Sequence, residues 1–273
     1  MQPTRSADLH TAYDLPPTAA ADFQRDGFIR LPRVLEPATL EHLEPDITDK
    51  VHAFNTTSDV PLEERSTLQK AFLQVGNLWR GSQAARDIVF SQRLARIAAE
   101  LLGTDGVRLF ADQALYKEPS GEITPWHADQ YYWPLDSDRV CTVWIPLQET
   151  PLEMGPLAFA RGSHRFAFGR DLPISEESER LLQEELGRQR FETVQEPFAL
   201  GDVSFHLGWT FHRAGRNESD TARRVMTVIY LDSATRVTPK VGEDQQPQLD
   251  ILMPGTEPGG VPDGPANPVL YPL

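Results

Sequence analysis

A histidine and an aspartate two positions apart, His127 and Asp129, are the first pair of side chains in this sequence that could share a metal ion. They lie in a strand-like run, where residues two apart project from the same face. We therefore expect the imidazole and the carboxylate to meet at one point. Such a pair also arises by chance in a chain with seven histidines, and a surface hydrogen bond is the alternative interpretation.

Two further histidines, His206 and His212, belong to a strand-like segment that follows the turn at Gly201 and Asp202. Two histidines and one carboxylate on a rigid β scaffold form the facial triad of non-haem Fe(II) oxygenases, which leaves three coordination positions open. Histidine supplies a neutral nitrogen, and aspartate supplies a charge that partly offsets the charge of Fe(II). Spacing alone does not choose between His206 and His212 as the third ligand.

An arginine, Arg223, lies eleven residues after His212 on the next strand-like run. A buried guanidinium beside an open metal site is suited to a bidentate bond with a carboxylate. The neighbouring Arg224 points to the opposite face if the segment is a strand. One of the two arginines is therefore predicted to face inward, and a surface position is the alternative for each.

Aromatic side chains lie next to both groups of candidate metal ligands in the sequence. Tyr131, Tyr132 and Trp133 follow the first pair, and Trp209 precedes His212. They suit an apolar or polycyclic substrate, and packing in a β core is an equally good interpretation of each one.

The composition restricts the partners of such a site. With 40 acidic and 26 basic residues the formal charge is −14, which argues against nucleic acid and anionic membranes and disfavours a coenzyme A ester. No run approaches the roughly 18 apolar residues of a membrane span, and the N-terminus lacks an apolar signal segment. A single cysteine, Cys141, excludes a disulfide framework and multi-cysteine metal sites. We therefore predict a cytoplasmic protein that acts on a small molecule.

The elements that must position these residues change in type along the chain. Residues 20–106 contain two amphipathic stretches and are predicted to form a mainly helical support. Residues 107–235 contain short strand-like runs typical of a β-sandwich or barrel, with a helical insert at 175–190. Residues 238–273 are rich in proline and are predicted to form an irregular tail. We expect one domain over 1–273 with a mainly β core.

Three segments in order, TPWHADQYYWPLDSD, TVWIPLQETPLEMGPLAFARGSHR and GDVSFHLGWTFHRAGRNESDTARR, resemble the phytanoyl-CoA dioxygenase family of Fe(II)- and 2-oxoglutarate-dependent oxygenases. The segment FQRDGFIRLPRVLEP resembles that family's entry segment, so the similarity covers most of residues 22–233. The resemblance implies a double-stranded β-helix, a cupin-like jelly-roll of two sheets. Ala160-Arg161 and Met154-Gly155 depart from the family's usual residues, which affects local loop shape rather than the implied chemistry.

The resemblance also implies the metal ligands. His127, Asp129 and His212 match the family's three ligands, so the resemblance favours His212 over His206. Related halogenases lack the carboxylate and leave its position open for chloride. The intact Asp129 therefore favours oxygenation over halogenation.

The co-substrate residues follow from the same resemblance. Arg223 matches the arginine that pairs with the distal carboxylate of 2-oxoglutarate. Gln113 and Thr142, on the strands before and after the first motif, occupy positions expected to line the co-substrate pocket.

The implied function is an oxygenase that uses Fe(II), 2-oxoglutarate and O2 to oxidise an unactivated C–H bond of a small organic molecule, in natural-product metabolism. Hydroxylation, cyclisation and epimerisation share one first step, and the sequence does not separate them. A Zn(II) hydrolase is an alternative, but it needs a general base near the metal-bound water and has no evident use for Arg223. A non-catalytic cupin-like metal-binding protein is another alternative, and it leaves an intact triad unexplained.

Overall fold

Two antiparallel sheets and a group of N-terminal helices form the part of the chain that the computed structural model describes, residues 6–272. The helices are α1 (Ala19–Asp26), α2 (Pro37–Phe54), α3 (Thr67–Ala71), α4 (Gln83–Val89), α5 (Gln92–Leu102), α6 (Glu176–Arg188) and α7 (Gln246–Leu252). The strands are β1 (Phe28–Leu31), β2 (Leu73–Gly76), β3 (Val107–Tyr116), β4 (Thr124–His127), β5 (Val140–Pro146), β6 (Leu157–Ala160), β7 (Thr193–Gln195), β8 (Val203–Leu207), β9 (His212–Ala214), β10 (Val225–Asp232) and β11 (Val269–Tyr271).

The larger sheet has seven strands in the order β1-β8-β5-β10-β3-β11, with β2 paired to β3, and the smaller sheet has the order β4-β9-β6-β7. Phe28 and Trp144 of the larger sheet share a buried cluster with Leu157 and Phe159 of the smaller sheet. The rings of Phe28 and Phe159 stack at 4.4 Å. The two facing sheets are the double-stranded β-helix that the sequence predicts.

The N-terminal helices cover the outer face of the larger sheet. Side chains alternate along a strand, so Val143 of β5 and Val228 of β10 join the apolar core beneath the helices. The intervening Thr142, Trp144 and Thr227 line the cavity between the sheets. The helices therefore fix which face of the sheet carries the site.

The termini of α5 follow from its sequence. The hydroxyl of Ser91 accepts a hydrogen bond from the backbone N–H of Leu94, and Gly103 ends the helix in a left-handed conformation with φ of 65°. The apolar stripes that the sequence predicts on α2 and α5 are buried: Leu40, Leu43, Ile47, Val51, Leu94, Ile97, Ala98 and Leu101.

The support region also contributes strands. β1 matches the strand-like FIRL run and pairs with β8, so it lies beside a strand of the site. β2, which local patterning does not reveal, pairs with β3 and places Gln74 beside Leu115 in the register.

The predicted helical insert corresponds to α6. Ser175 and Ser178 cap its first turn reciprocally, and Leu182 and Leu186 are buried in a cluster with Trp126 of β4. This insert therefore packs against the strand that ends in His127.

The sequence predicts an irregular tail over residues 238–273, but part of this segment is regular. It contains α7, whose Leu249 and Leu252 pack against Phe110 and Trp133, and β11, which pairs with β3. Both elements are short and gain their stability from the surfaces they contact, so their own periodicity is weak.

The helices of the described region do not include a membrane-spanning candidate. None between residues 6 and 272 combines the required length with sufficient apolar character.

Candidate active site

The first pair of candidate residues lies where β4 ends. His127 is the last residue of β4, and Asp129 begins a one-turn 3-10 helix, Asp129–Tyr132. The expectation that both residues belong to one strand is therefore wrong, although their side chains do meet. His212 begins β9 and is the register partner of His127 across the antiparallel pair.

His127, Asp129 and His212 form a cluster whose ligand atoms all lie within 4.8 Å of one another. Asp129 Oδ1 is 3.4 Å from His127 Nε2 and 3.8 Å from His212 Nε2. The two imidazole rings are 4.2 Å apart, and both histidines are buried. Two nitrogens and one carboxylate oxygen thus face a common point.

The opposite ring nitrogens fix the tautomers of these two histidines. His127 Nδ1 lies 2.7 Å from the carbonyl oxygen of Pro125, and His212 Nδ1 lies 2.9 Å from that of Thr210. A carbonyl oxygen only accepts, so each Nδ1 carries the proton and each Nε2 presents a lone pair to the cluster. Metal-binding histidines in proteins usually donate their other ring N–H to a carboxylate, a backbone carbonyl or water, and both histidines here use a backbone carbonyl.

His206 lies beside the cluster but differs in its hydrogen bonds. Its Nε2 lies 3.3 Å from Asp129 Oδ2, the second oxygen of that carboxylate. Its Nδ1 is buried without a hydrogen-bond partner among residues 6–272. Since an ionised carboxylate only accepts, the proton of His206 is on Nε2, which leaves that nitrogen no lone pair for a metal.

Thr142 contacts the same carboxylate oxygen as His206. Its hydroxyl donates to Asp129 Oδ2 at 3.4 Å. The two donors hold Oδ2 away from the point that Oδ1 shares with His127 and His212. The sequence predicts that Thr142 lines the co-substrate pocket; the structure places it in the lining of the same cavity, with its hydroxyl on Asp129.

The electrostatics of the cluster suit a metal ion. Burial raises the pKa of the Asp129 carboxyl, but the neighbouring His212, His127 and His206 outweigh burial and hold this pKa well below 3.8. Burial, together with the neighbouring His127, holds the pKa of His212 well below 6.5. The folded protein therefore favours an ionised carboxylate and a neutral imidazole, the states in which both bind metals.

Arg223 is buried in the same cavity and has no anionic partner among residues 6–272. It is 2% exposed, and one terminal nitrogen donates to the carbonyl oxygen of Gly155. Its guanidinium lies 5.5 Å from the ring centre of Trp144, and Nε is buried without a partner among the described residues. Burial lowers its pKa to about 10. A buried cation of this kind is poised for an anionic ligand.

Arg224 points the other way, as the alternation predicts. Its guanidinium binds Glu44 at 2.7 Å and the side chain of Gln148 at 2.6 Å. Arg223 is therefore the inward arginine, and it lies just before β10, in an isolated bridge with Lys117.

Lys117 is a second buried cation next to Arg223. Its ammonium contacts the carbonyl oxygen of Glu122 and, at 3.4 Å, the hydroxyl of Thr124, which lines the cavity. Burial, and then the charge of Arg223, lower the pKa of Lys117 from 10.5 to about 6. The folded protein thus favours the neutral amine at this position.

The Lys117→Met variant is expected to be more stable than the wild type at neutral pH, by about 2 kcal/mol. Between about pH 6 and 10 the unfolded chain holds a proton that folded Lys117 has released, so wild-type stability rises with pH in this window. The variant should lose that rise. Urea unfolding across the window measures both effects, with the exposed Lys240→Met as the control. An equal rise in Lys117→Met and wild type contradicts this prediction.

The cavity that contains the cluster is open and has a volume of about 230 Å³. All six candidate residues from the sequence line it: His127, Asp129, His212, Arg223, Gln113 and Thr142. Gln113 lines this space on β3, and its partner in the register is Thr227 of β10.

Other lining residues are missed by sequence reasoning. Phe72 and Gln74 come from the region around β2, Ile174 precedes α6, and Gln248 lies on α7. Each is an ordinary residue in its own segment, and only the tertiary fold brings these segments to one cavity. His206 was visible in the sequence as an alternative ligand, but its contact with Asp129 was not.

Comparison with known proteins places this architecture in context. The model of the family described as Phytanoyl-CoA dioxygenase (PhyH) matches residues 23–225. A probable alpha-ketoglutarate-dependent hypophosphite dioxygenase from Stutzerimonas stutzeri is 28% identical over 176 residues, which cover 62% of this chain and 60% of that protein. A phytanoyl-CoA dioxygenase domain-containing protein 1 from Danio rerio is 28% identical over 129 residues, 45% of this chain and 44% of that protein. The chain therefore spans less than two thirds of the length of these curated relatives.

Solved structures share the fold over nearly the whole chain. The non-heme alpha-ketoglutarate-dependent carbocyclase SnoK from nogalamycin biosynthesis superposes with a TM-score of 0.77 at 24% identity, covering 98% of this chain and 99% of that one. The epimerase SnoN, in complex with Fe3+, alpha-ketoglutarate and nogalamycin RO, gives a TM-score of 0.74 at 25% identity, covering 92% and 97%. With the family match extending over most of the chain and including every residue of the cluster, this protein belongs to the phytanoyl-CoA dioxygenase family.

Proposed function

We propose that this protein is an Fe(II)- and 2-oxoglutarate-dependent oxygenase that oxidises an unactivated C–H bond of a small organic molecule. The observation that carries the proposal is the pairing of two features in one cavity. Two histidine nitrogens and one carboxylate oxygen converge on a point, and a buried arginine without an anionic partner lies beside them. The first feature suits the metal, and the second suits a dicarboxylate.

The donor set fits Fe(II). His127 and His212 would bind it through Nε2, and Asp129 through Oδ1, as a facial triad with three positions left for other ligands. His206 and Thr142 bond the second oxygen of Asp129 and so favour a single ligand atom from this carboxylate. When bound, Fe(II) and 2-oxoglutarate supply the O2-dependent chemistry that attacks the C–H bond.

The pocket around Arg223 fits 2-oxoglutarate. A buried guanidinium whose Nε–H has no partner among the described residues would pair with the carboxylate remote from the metal, through charge-assisted hydrogen bonds. The ring of Trp144 shields this pair from water, which strengthens it. Gln113 and Thr124 line the same cavity, and we assign Gln113 to the walls of the co-substrate pocket.

A Zn(II) hydrolase is less compatible with the same cavity. Such an enzyme needs a general base near the metal-bound water. Asp129 is the one carboxylate among the described residues that line the cavity, and it belongs to the proposed metal site. The nearby His206 is engaged with Asp129 through Nε2. A hydrolase would also leave Arg223 without a role.

The comparisons support a role in natural-product tailoring. The structural relatives are described as a carbocyclase and an epimerase from nogalamycin biosynthesis, so we propose hydroxylation or a related cyclisation or epimerisation for this chain. The intact Asp129 supports oxygenation over halogenation. The charge of −14 disfavours coenzyme A esters, nucleic acid and anionic membranes. Cys141, the one cysteine of the sequence, is a buried free thiol, and this supports a cytoplasmic location.

The proposal is tested by anaerobic addition of Fe(II) and 2-oxoglutarate to the metal-free protein. We expect a visible charge-transfer band from the iron chelate, followed by succinate and CO2 formation once O2 is admitted. Omitting 2-oxoglutarate is the control for the band. A protein that binds Fe(II) but gives neither band nor succinate would not be an oxygenase of this class.

A further inference from the structure

The C-terminal segment contributes Gln248 to the cavity lining and is anchored to the residues that follow Asp129. Gln245 Nε2 donates to the carbonyl oxygens of Tyr131 and Trp133, at 3.2 Å in both cases. The hydroxyl of Tyr131 donates to Asp244. The start of α7 is therefore tied to the turn that begins with Asp129.

Apolar contacts hold α7 in the same place. Leu249, Leu252 and Met253 are buried in a cluster with Phe110 and Trp133. With one face of the helix packed in this way, Gln248 lies at the cavity wall. Its carboxamide makes no hydrogen bond to any described residue, although that of the nearby Gln246 bonds to Asp250 at 2.8 Å.

The remainder of the wall is uncharged. Beyond the metal cluster, His206 and Arg223, the described lining contains no Asp, Glu, Lys or further Arg. Phe72, Tyr132, Trp133 and Ile174 supply apolar and aromatic surface. Gln74, like Gln248, offers a carboxamide that has no hydrogen-bond partner among residues 6–272. A phosphate, carboxylate or ammonium group on a substrate would lose water here and gain no counter-ion, which is costly.

A carboxamide both donates and accepts hydrogen bonds, so it suits neutral hydroxyl and carbonyl groups. Gln74, Gln248 and Gln113, with the threonine hydroxyls of the lining, lie among apolar and aromatic side chains. This matches the general pattern of ligand pockets, in which a few polar groups orient a mostly apolar guest.

We propose that the substrate is an uncharged, largely apolar ring compound bearing hydroxyl or carbonyl groups, and that α7 presents Gln248 as a specificity-determining residue for those groups. This inference rests on the proposed function, because the substrate must reach the metal cluster in this cavity. It assigns the C-terminal segment a direct part in substrate selection.

The test compares two fluorescent probes on the full-length protein loaded with Zn(II), which does not quench fluorescence, and 2-oxoglutarate. Prodan is an uncharged naphthyl ketone, and ANS is an anilinonaphthalene sulfonate of similar size. We expect the Kd of prodan to be at least about tenfold lower than that of ANS, and the Gln248→Leu variant to lose most of this advantage. Tighter binding of ANS than of prodan to the wild type overturns the inference.

A lysine introduced at position 248 or, as a control, at position 246 gives a second test of the position of Gln248. Gln248→Lys should lower the Kd of ANS by about tenfold, because it supplies the missing counter-ion. Gln246→Lys adds the same charge to the same helix at an exposed position and should leave both Kd values within about twofold. Equal effects of the two lysines overturn the assignment of Gln248 to the cavity.

The chelate assay on the same preparations separates this inference from the proposed function. A protein that forms the iron chelate yet shows no preference for prodan refutes the uncharged-substrate inference alone. A protein that prefers prodan in a Gln248-dependent manner without forming the chelate refutes the oxygenase function and retains the uncharged cavity.

Discussion

Replacing His212 by alanine is expected to abolish stable Fe(II) binding, whereas replacing His206 by alanine should leave one Fe(II) ion bound per chain. The reason is the hydrogen bond made by the opposite ring nitrogen. His212 Nδ1 contacts the carbonyl oxygen of Thr210, which leaves Nε2 free to bind a metal. His206 uses Nε2 to contact Asp129, so it orients a ligand rather than acting as one.

The two alanine variants form a matched pair, because both remove a buried imidazole from strands that follow one another in the chain and lie in the two facing sheets. Iron content after incubation with Fe(II) and desalting measures the main effect, and Co(II) titration measures affinity. His206→Ala should weaken metal binding by about tenfold, since it frees one oxygen of Asp129. Iron loss confined to His206→Ala would reverse the assignment. Circular dichroism of the metal-free proteins checks that both fold.

The sequence indicates the candidate metal residues, but it does not predict the secondary structure that carries Asp129. His127 and Asp129 were expected on one face of a strand, but the strand ends at His127 and Asp129 begins a one-turn helix. The side chains of His127 and Asp129 still meet, because a tight turn also brings side chains two residues apart close together. The choice of His212 required the resemblance, since the discriminating contact, between its Nδ1 and Thr210, depends on the folded backbone.

Elements with strong local signals were predictable. α5 has a serine cap, an apolar stripe and a terminal glycine, and α6 has a serine cap, so both helices correspond to the expected segments. α7 and β11 were missed because they are short and are stabilised by contacts with distant residues such as Phe110 and Val107. For the same reason the sequence does not predict that Gln248 and Gln74 line the cavity, because only tertiary packing brings them there.

The fold accounts for the juxtaposition of metal residues and arginine. β4 and β9 of the smaller sheet pair antiparallel and bring His127 opposite His212. β10 of the larger sheet lies between β5 and β3. Just before β10, the side chain of Arg223 points into the cavity and that of Arg224 points away from it, to Glu44. Two sheets facing each other therefore supply the metal site from one side and the anion site from the other. This division makes the two sites separable by mutation.

The Arg223→Met variant is expected to retain Fe(II) but to bind 2-oxoglutarate at least about 100-fold more weakly than the wild type. Truncating one partner of a buried charged pair typically costs about 2–5 kcal/mol. Methionine keeps an apolar stem beside Trp144 but provides no donor for a carboxylate. Titration of the anaerobic Fe(II) protein with 2-oxoglutarate, followed through the chelate band, measures the change.

The same variant is expected to raise the Tm of the metal-free protein, which distinguishes a binding role from a structural one. Without its ligand, Arg223 is a buried cation whose pKa burial lowers to about 10, so its charge opposes folding at neutral pH. Removing that charge should stabilise the apoprotein by about 1 kcal/mol or more. Arg224→Met is the control: it breaks the pair with Glu44 and should leave 2-oxoglutarate affinity unchanged. Loss of affinity in Arg224→Met alone would transfer the co-substrate role to Arg224. A lower Tm with unchanged affinity in Arg223→Met would show that Arg223 supports the fold rather than the co-substrate.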